Sequence, residues 1–160
     1  MRFNDTQQQE FDLVIGRAAL AEQEGRYAEA LETLDDAEAM LLRHNISDEY
    51  DWSGWFDLRM VVFAASGDEA AAANTAAAML ARVNATPPDF NAEQQLIIQD
   101  SLVEACLVRA RYLLRQIAQP ARDAELDQVI RYGIRLSENT QRDGDLAEFQ
   151  ELQRKTGLAA

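Results

Sequence analysis

The chain has 160 residues, 48% apolar and 27% charged, with a formal net charge of −13. That composition supports a packed core and excludes a disordered chain, and no apolar run approaches the ~20 residues of a membrane-spanning helix. The charge argues against nucleic acid, whose phosphates need basic patches, and against an anionic membrane surface.

The apolar spacing predicts six main helices and a short seventh. The first covers 6–24, capped by Thr6 or Asp5, with Phe11, Val14, Ile15, Ala18 and Ala21 on one stripe. Gly25 stops it. The second covers 27–43, with Tyr27, Leu31, Leu34, Ala37 and Leu41 inward and Arg43 and His44 at the negative end of its dipole. A connector at 44–47 leads to a third helix over 48–65 with Trp52, Trp55, Phe56 and Phe63 along it. Ser66-Gly67 turns the chain into an alanine-rich fourth helix over 68–83, whose small side chains predict close packing on more than one side.

Pro87-Pro88 breaks the pattern and forms a loop within one domain. The fifth helix covers 91–118, opened by Asn91 and Gln94 as a capping box, with a stripe of Leu96, Val103, Cys106, Leu107, Ala110, Leu114 and Ile117. The sixth covers 121–139 with Leu126, Val129, Ile130, Gly133 and Ile134 inward. Asp145 and Glu148 cap a final helix ending near 155. No strand pattern competes. The expected fold is all-α, a single domain of stacked helical hairpins, with an acidic half at 1–83 and a long hairpin plus short helix at 89–160.

Gly25 at a turn, Tyr27 two residues later, and the small positions Ala30 and Ala37 around Leu34 resemble a tetratricopeptide-repeat hairpin. A second match starts at Trp55-x2-Leu58, with Ser66 near the turn and Ala71 and Ala78 at small positions. The spacing between Val14 and Trp55 is about 41 residues, against the ~34 of the regular repeat. In the first helix, the positions usually held by Trp, Leu, Gly and Tyr are Val14, Arg17, Ala18 and Ala21. The resemblance covers about half the chain. It implies paired helices with a concave binding surface, and it places no catalytic residue.

The residues carry few groups suited to catalysis or metal binding. One His and one Cys, His44 and Cys106, do not assemble a metal site. No nucleophile elbow, phosphate loop or calcium loop occurs. Asp48, Glu49 and Asp51 are read as helix-start electrostatics, and Cys106 as a buried structural thiol. No enzyme activity, cofactor or metal is expected. With no internal disulfide and no secretory signal at Met1–Asp5, the expected compartment is a bacterial-type cytoplasm.

Charge is unevenly placed: residues 1–69 hold 16 Asp/Glu against 5 Arg, whereas 70–160 hold 12 Asp/Glu against 10 Lys/Arg. The candidate partner-binding residues are therefore Glu29, Glu32, Asp35 and Asp36, flanked by Glu22 and Glu38, with Tyr50 and Trp52 as exposed aromatics. The arginines Arg109, Arg111, Arg115, Arg122, Arg131 and Arg135 are expected to pair with the acidic half, within the chain or across a homodimer, in preference to forming an anion site. The expected function is protein–protein interaction. A small acidic chaperone or adaptor, or an immunity-type inhibitor, would hold a basic protein partner. The alternative is a structural homo-oligomer or a subunit of a larger assembly.

Overall fold

The computed structural model describes residues 1–157, of which 79% are helical, with no strand among the described residues. The helices are α1 (Asp5–Gln23), α2 (Tyr27–Arg43), α3 (Glu49–Ala65), α4 (Glu69–Arg82), α5 (Ala92–Leu114), α6 (Pro120–Asn139) and α7 (Asp143–Thr156). Neighbouring helices pack as α1 on α2, α2 on α3, α5 on α6 and α6 on α7, so the fold is an all-α array of helical hairpins. The chain divides into two compact units at Thr75 and Ala76, inside α4.

In the first unit α1 packs along α2, α2 along α3, and α1 also touches α3. Asn4 caps α1, in place of the expected Thr6 or Asp5, and Gln7 closes the capping box by bonding back to the Asn4 backbone. Phe11, Val14, Ala18 and Ala21 of α1 are buried, as are Ala30, Leu34, Ala37 and Leu41 of α2. The alternation of alanine with larger residues keeps the two backbones close.

Gly25, at φ +75°, reverses the chain. Its N–H reaches Glu22 O at 3.0 Å and the Arg26 N–H reaches Ala21 O at 2.8 Å, the paired bonds of a Schellman motif. Gly67, at φ +86°, repeats the arrangement after α3, with bonds to Ala64 O and Phe63 O. Asn45 and Gln141 do the same after α2 and α6 at φ +51° and +58°. The breaks at these two places were expected, but a reversal through positive φ was not, because neither contains glycine.

Helix α3 starts at Asp48, whose carboxylate accepts from the Tyr50 and Asp51 amides. Its indoles are anchored to carbonyls: Trp55 Nε1 donates to Leu34 O and Trp52 Nε1 to Ile46 O, each at 2.8 Å. Trp52, Trp55 and Phe56 form one ring cluster with centroids 4.9–5.9 Å apart. In α4, Ala72, Ala73, Thr75, Ala76 and Met79 follow one buried face, while Asn74, Ala78 and Ala81 are exposed. This helix was expected to be covered on several sides; burial is confined to that face.

In the second unit α5 packs on α6, and α7 packs on both. The expected Asn91–Gln94 capping box opens α5. The loop before it is held by two glutamines one helical turn apart. Gln95 donates to Pro87 O and Phe90 O, and Gln99 donates to Ala85 O and accepts from Asn139. Helix α5 ends at Leu114, four residues earlier than expected, which leaves Ile117 outside the helix and 85% exposed. Its inner face keeps the expected Val103, Cys106, Leu107 and Ala110 and adds Ile98, Leu102, Ala105 and Leu113, whereas the expected Leu96 is exposed and Leu114 half-buried.

Arg142 precedes α7, and no side chain caps that helix, contrary to the expected Asp145–Glu148 cap. Asp145 pairs with Arg142 at 2.5 Å, and Glu148 pairs with Arg111.

Gly133 of α6 lies under the ring of the fully buried Phe149 from α7. A Cβ at that position would stand 2.5 and 2.7 Å from two ring carbons. Replacing a helical glycine by alanine ordinarily stabilises by up to about 1 kcal/mol. Here overpacking reverses the sign. Gly133→Ala is expected to destabilise the second unit by about 1–3 kcal/mol, read as a lower urea midpoint. A midpoint that rises would show that Phe149 can withdraw at little cost.

Candidate functional site

Helix α2 turns its buried stripe inward and leaves Glu29, Glu32, Asp35 and Asp36 on its exposed side. Glu29 pairs with Arg26, and Asp35 meets Arg59 of α3 at 3.2 Å. Glu32 and Asp36, one helical turn apart, have no ion-pair partner among the described residues. Glu22 and Glu38 are half-buried at the margins. The exposed, unpaired acids of this face among the described residues are therefore Glu32 and Asp36.

The two aromatic candidates separate. Tyr50, on the first turn of α3, is 51% exposed. Trp52 is buried, contrary to expectation. The Ile46 carbonyl receives its indole N–H and Trp55 packs edge-on against it, so it belongs to the core of the first unit. Arg59 lies over the Trp55 and Phe63 rings at 5.3 and 5.0 Å while reaching Asp35, which couples the acidic face to the aromatic core.

Five arginines of the second unit, Arg109, Arg111, Arg122, Arg131 and Arg142, pair with carboxylates of that unit. Arg109 grips Glu125 through two bonds of 2.5 and 2.9 Å, and Arg111 grips Glu148 through two of 2.7 Å. Arg131 pairs with Asp127 and Arg122 with Asp123. Arg142 joins Glu104, Asp145 and the Asp100 backbone carbonyl. Their expected partners were the acids of the first half. Carboxylates on neighbouring turns and helices are nearer, and they take up the charge locally.

Cys106 is fully buried on α5, and burial pushes its thiol up to about 12, far from the thiolate that nucleophilic chemistry requires.

Sequence reasoning missed the role of Asp51. Asp48 does cap α3, but Asp51 is turned inward and buried. Gln8 of α1 donates through its amide to both Asp12 and Asp51 at 3.0 Å, and Arg2 pairs with Asp48 at 3.1 Å. Burial pushes the Asp51 carboxyl up to about 6. The Gln8 hydrogen bond opposes the shift, the charges of Asp48 and Asp12 add to it, and Arg2 opposes it. The only signal available beforehand was spacing, since Asp51 precedes Trp52 and Trp55 on the inward side.

The folded protein thus holds this proton more tightly than the unfolded chain. The stabilisation is complete below about pH 4 and is lost as pH rises through about 6. Asp51→Asn keeps the acceptor oxygen for Gln8 and removes the buried charge. It is expected to raise stability by about 2 kcal/mol above pH ~6.5 and to have little effect below pH ~4. Denaturation midpoints of both proteins across that range check this; parallel curves would rule out a buried titrating Asp51. Comparison of the chain with known protein families, with curated proteins and with solved structures finds no match.

Proposed function

We propose that the chain is a non-enzymatic helical module, tetratricopeptide-like in its first hairpin, that docks a basic segment of a protein partner on the exposed face of α2. The observation that carries this reading is the pair Glu32 and Asp36, exposed and without cationic partners beside Glu29 and Asp35. The Gly25 reversal and the close Ala30–Leu34–Ala37 packing support the likeness to the repeat hairpin. A small adaptor or chaperone, or an inhibitor of a basic toxin, fits such a face, and Tyr50 supplies an exposed aromatic in the same unit.

The test begins with capture of a partner at low salt and its release at high salt, followed by association kinetics with that purified partner. Neutralising Glu29, Glu32, Asp35 and Asp36 as Gln or Asn should slow association roughly tenfold at low ionic strength and flatten its salt dependence. Most of that effect should survive in the Glu32→Gln/Asp36→Asn double variant. An unchanged rate would remove the acidic face from the recognition step.

A second reading, self-association, is favoured by a different surface. Leu13 and Leu20 of α1 are 67% and 51% exposed and lie two turns apart, with exposed Gly16 between them. If copies pair there, light scattering should give twice the chain mass, and Leu13→Glu with Leu20→Glu should return it to one. A monomeric wild type would exclude this reading.

A further inference from the structure

The second unit contains a cavity of about 420 Å³ between the α4 segment 77–81 and one face of α6. That volume lies within the range of small-molecule sites. Leu80, Ala81 and Val129 line its apolar part and the half-buried Tyr132 forms a wall. Burial pushes the Tyr132 phenol up, as expected of a wall shielded from water.

Glu125 and Arg135 stand at its two ends, about 15 Å apart along the helix at 1.5 Å per residue. The two ends are not equivalent. Glu125 is neutralised by the two bonds from Arg109. Arg135 stacks on Tyr132 at 5.5 Å and has no carboxylate partner among the described residues, whereas Arg109, Arg111, Arg122 and Arg131, the other arginines of α5 and α6, each have one.

The geometry points to a ligand site in this cavity for a small amphipathic monocarboxylate, its apolar body along Leu80, Ala81, Val129 and Tyr132 and its carboxylate on the Arg135 guanidinium. One unpaired cation offsets one negative charge. A phosphate monoester would bring close to two, in a chain already at −13. An extended peptide is disfavoured for a different reason. It presents N–H and C=O groups all along its length, and between the two charged ends the lining offers only the Gln128 amide and the Tyr132 hydroxyl. This site goes beyond the docking face on α2 and uses none of its residues.

The test is an NMR titration of the intact chain with 4-phenylbutyrate, its uncharged amide, and a pentapeptide amide bearing a central phenylalanine. The carboxylate should give saturable shifts at Leu80, Ala81, Val129 and Tyr132. Binding should weaken about tenfold for the amide, and by a similar factor for Arg135→Gln, an exposed position where folding is checked by circular dichroism. Ala81→Phe should fill the cavity and abolish the shifts. Neutralising the four α2 acids should leave them intact, which separates this result from the fate of the docking reading. The proposal is overturned by absence of saturation, by equal binding of acid and amide, or by binding of the peptide alone, which would assign the cavity to a protein segment.

Discussion

Chain reversal is the constraint on which the rest of this structure depends. A helix end leaves its last carbonyls without partners, and a hairpin buries part of that end against its neighbour. Four reversals meet the problem identically. A residue at positive φ lets its own amide and the next one fold back onto the final turn, at Gly25, Asn45, Gly67 and Gln141. The same two bonds that satisfy the carbonyls also set the direction in which the following segment leaves. Packing of α2 on α1 and of α7 on α6 thus begins from a defined exit vector. Glycine serves two of these turns without strain, asparagine at Asn45 is the side chain that tolerates this region best, and Gln141 holds a conformation that side chains ordinarily resist.

Between the reversals, long polar side chains perform the work that backbone pairing cannot. The Trp55 indole bonds to a carbonyl of α2, and Gln95 and Gln99 bind the proline loop from one face of α5. Arg142 ties α5 to the start of α7. The second unit spends most of its arginines in this way on its own carboxylates. Among the exposed charges left without an ion pair in the described residues are Glu32 and Asp36 on α2, and Arg135 beside its cavity. These positions have opposite sign and belong to different units, so they suit ligands of different chemistry.

Helix periodicity made the elements legible. The second helix has its expected bounds, and the stripes of α1 and α2 are the buried ones apart from Ile15, Tyr27 and Leu31, which are half-exposed. The capping box at Asn91 was readable because its two residues are local. What periodicity could not convey was where a side chain finds a partner distant in sequence. Trp52 looked available for binding because its N–H wants an acceptor, and the fold supplies one at Ile46. Asp51 looked like surface charge until Gln8 of α1 arrived to share it. Ile117 fitted the apolar repeat of α5, but the chain leaves the helix at Leu114 before that position is reached. Of the candidate site, the acids and Tyr50 are where the sequence suggested, while the choice of Glu32 and Asp36 depends on knowing which neighbours Arg26 and Arg59 neutralise.

The placement of the rarest side chains makes each unit its own reporter. Both tryptophans, Trp52 and Trp55, lie in the core of the first unit, and the lone thiol, Cys106, lies in the core of the second. Indole emission therefore follows the packing of one unit, and thiol accessibility follows that of the other, with no label introduced. Whether the two units melt as one cooperative body or in sequence is thus written into two native signals that do not overlap.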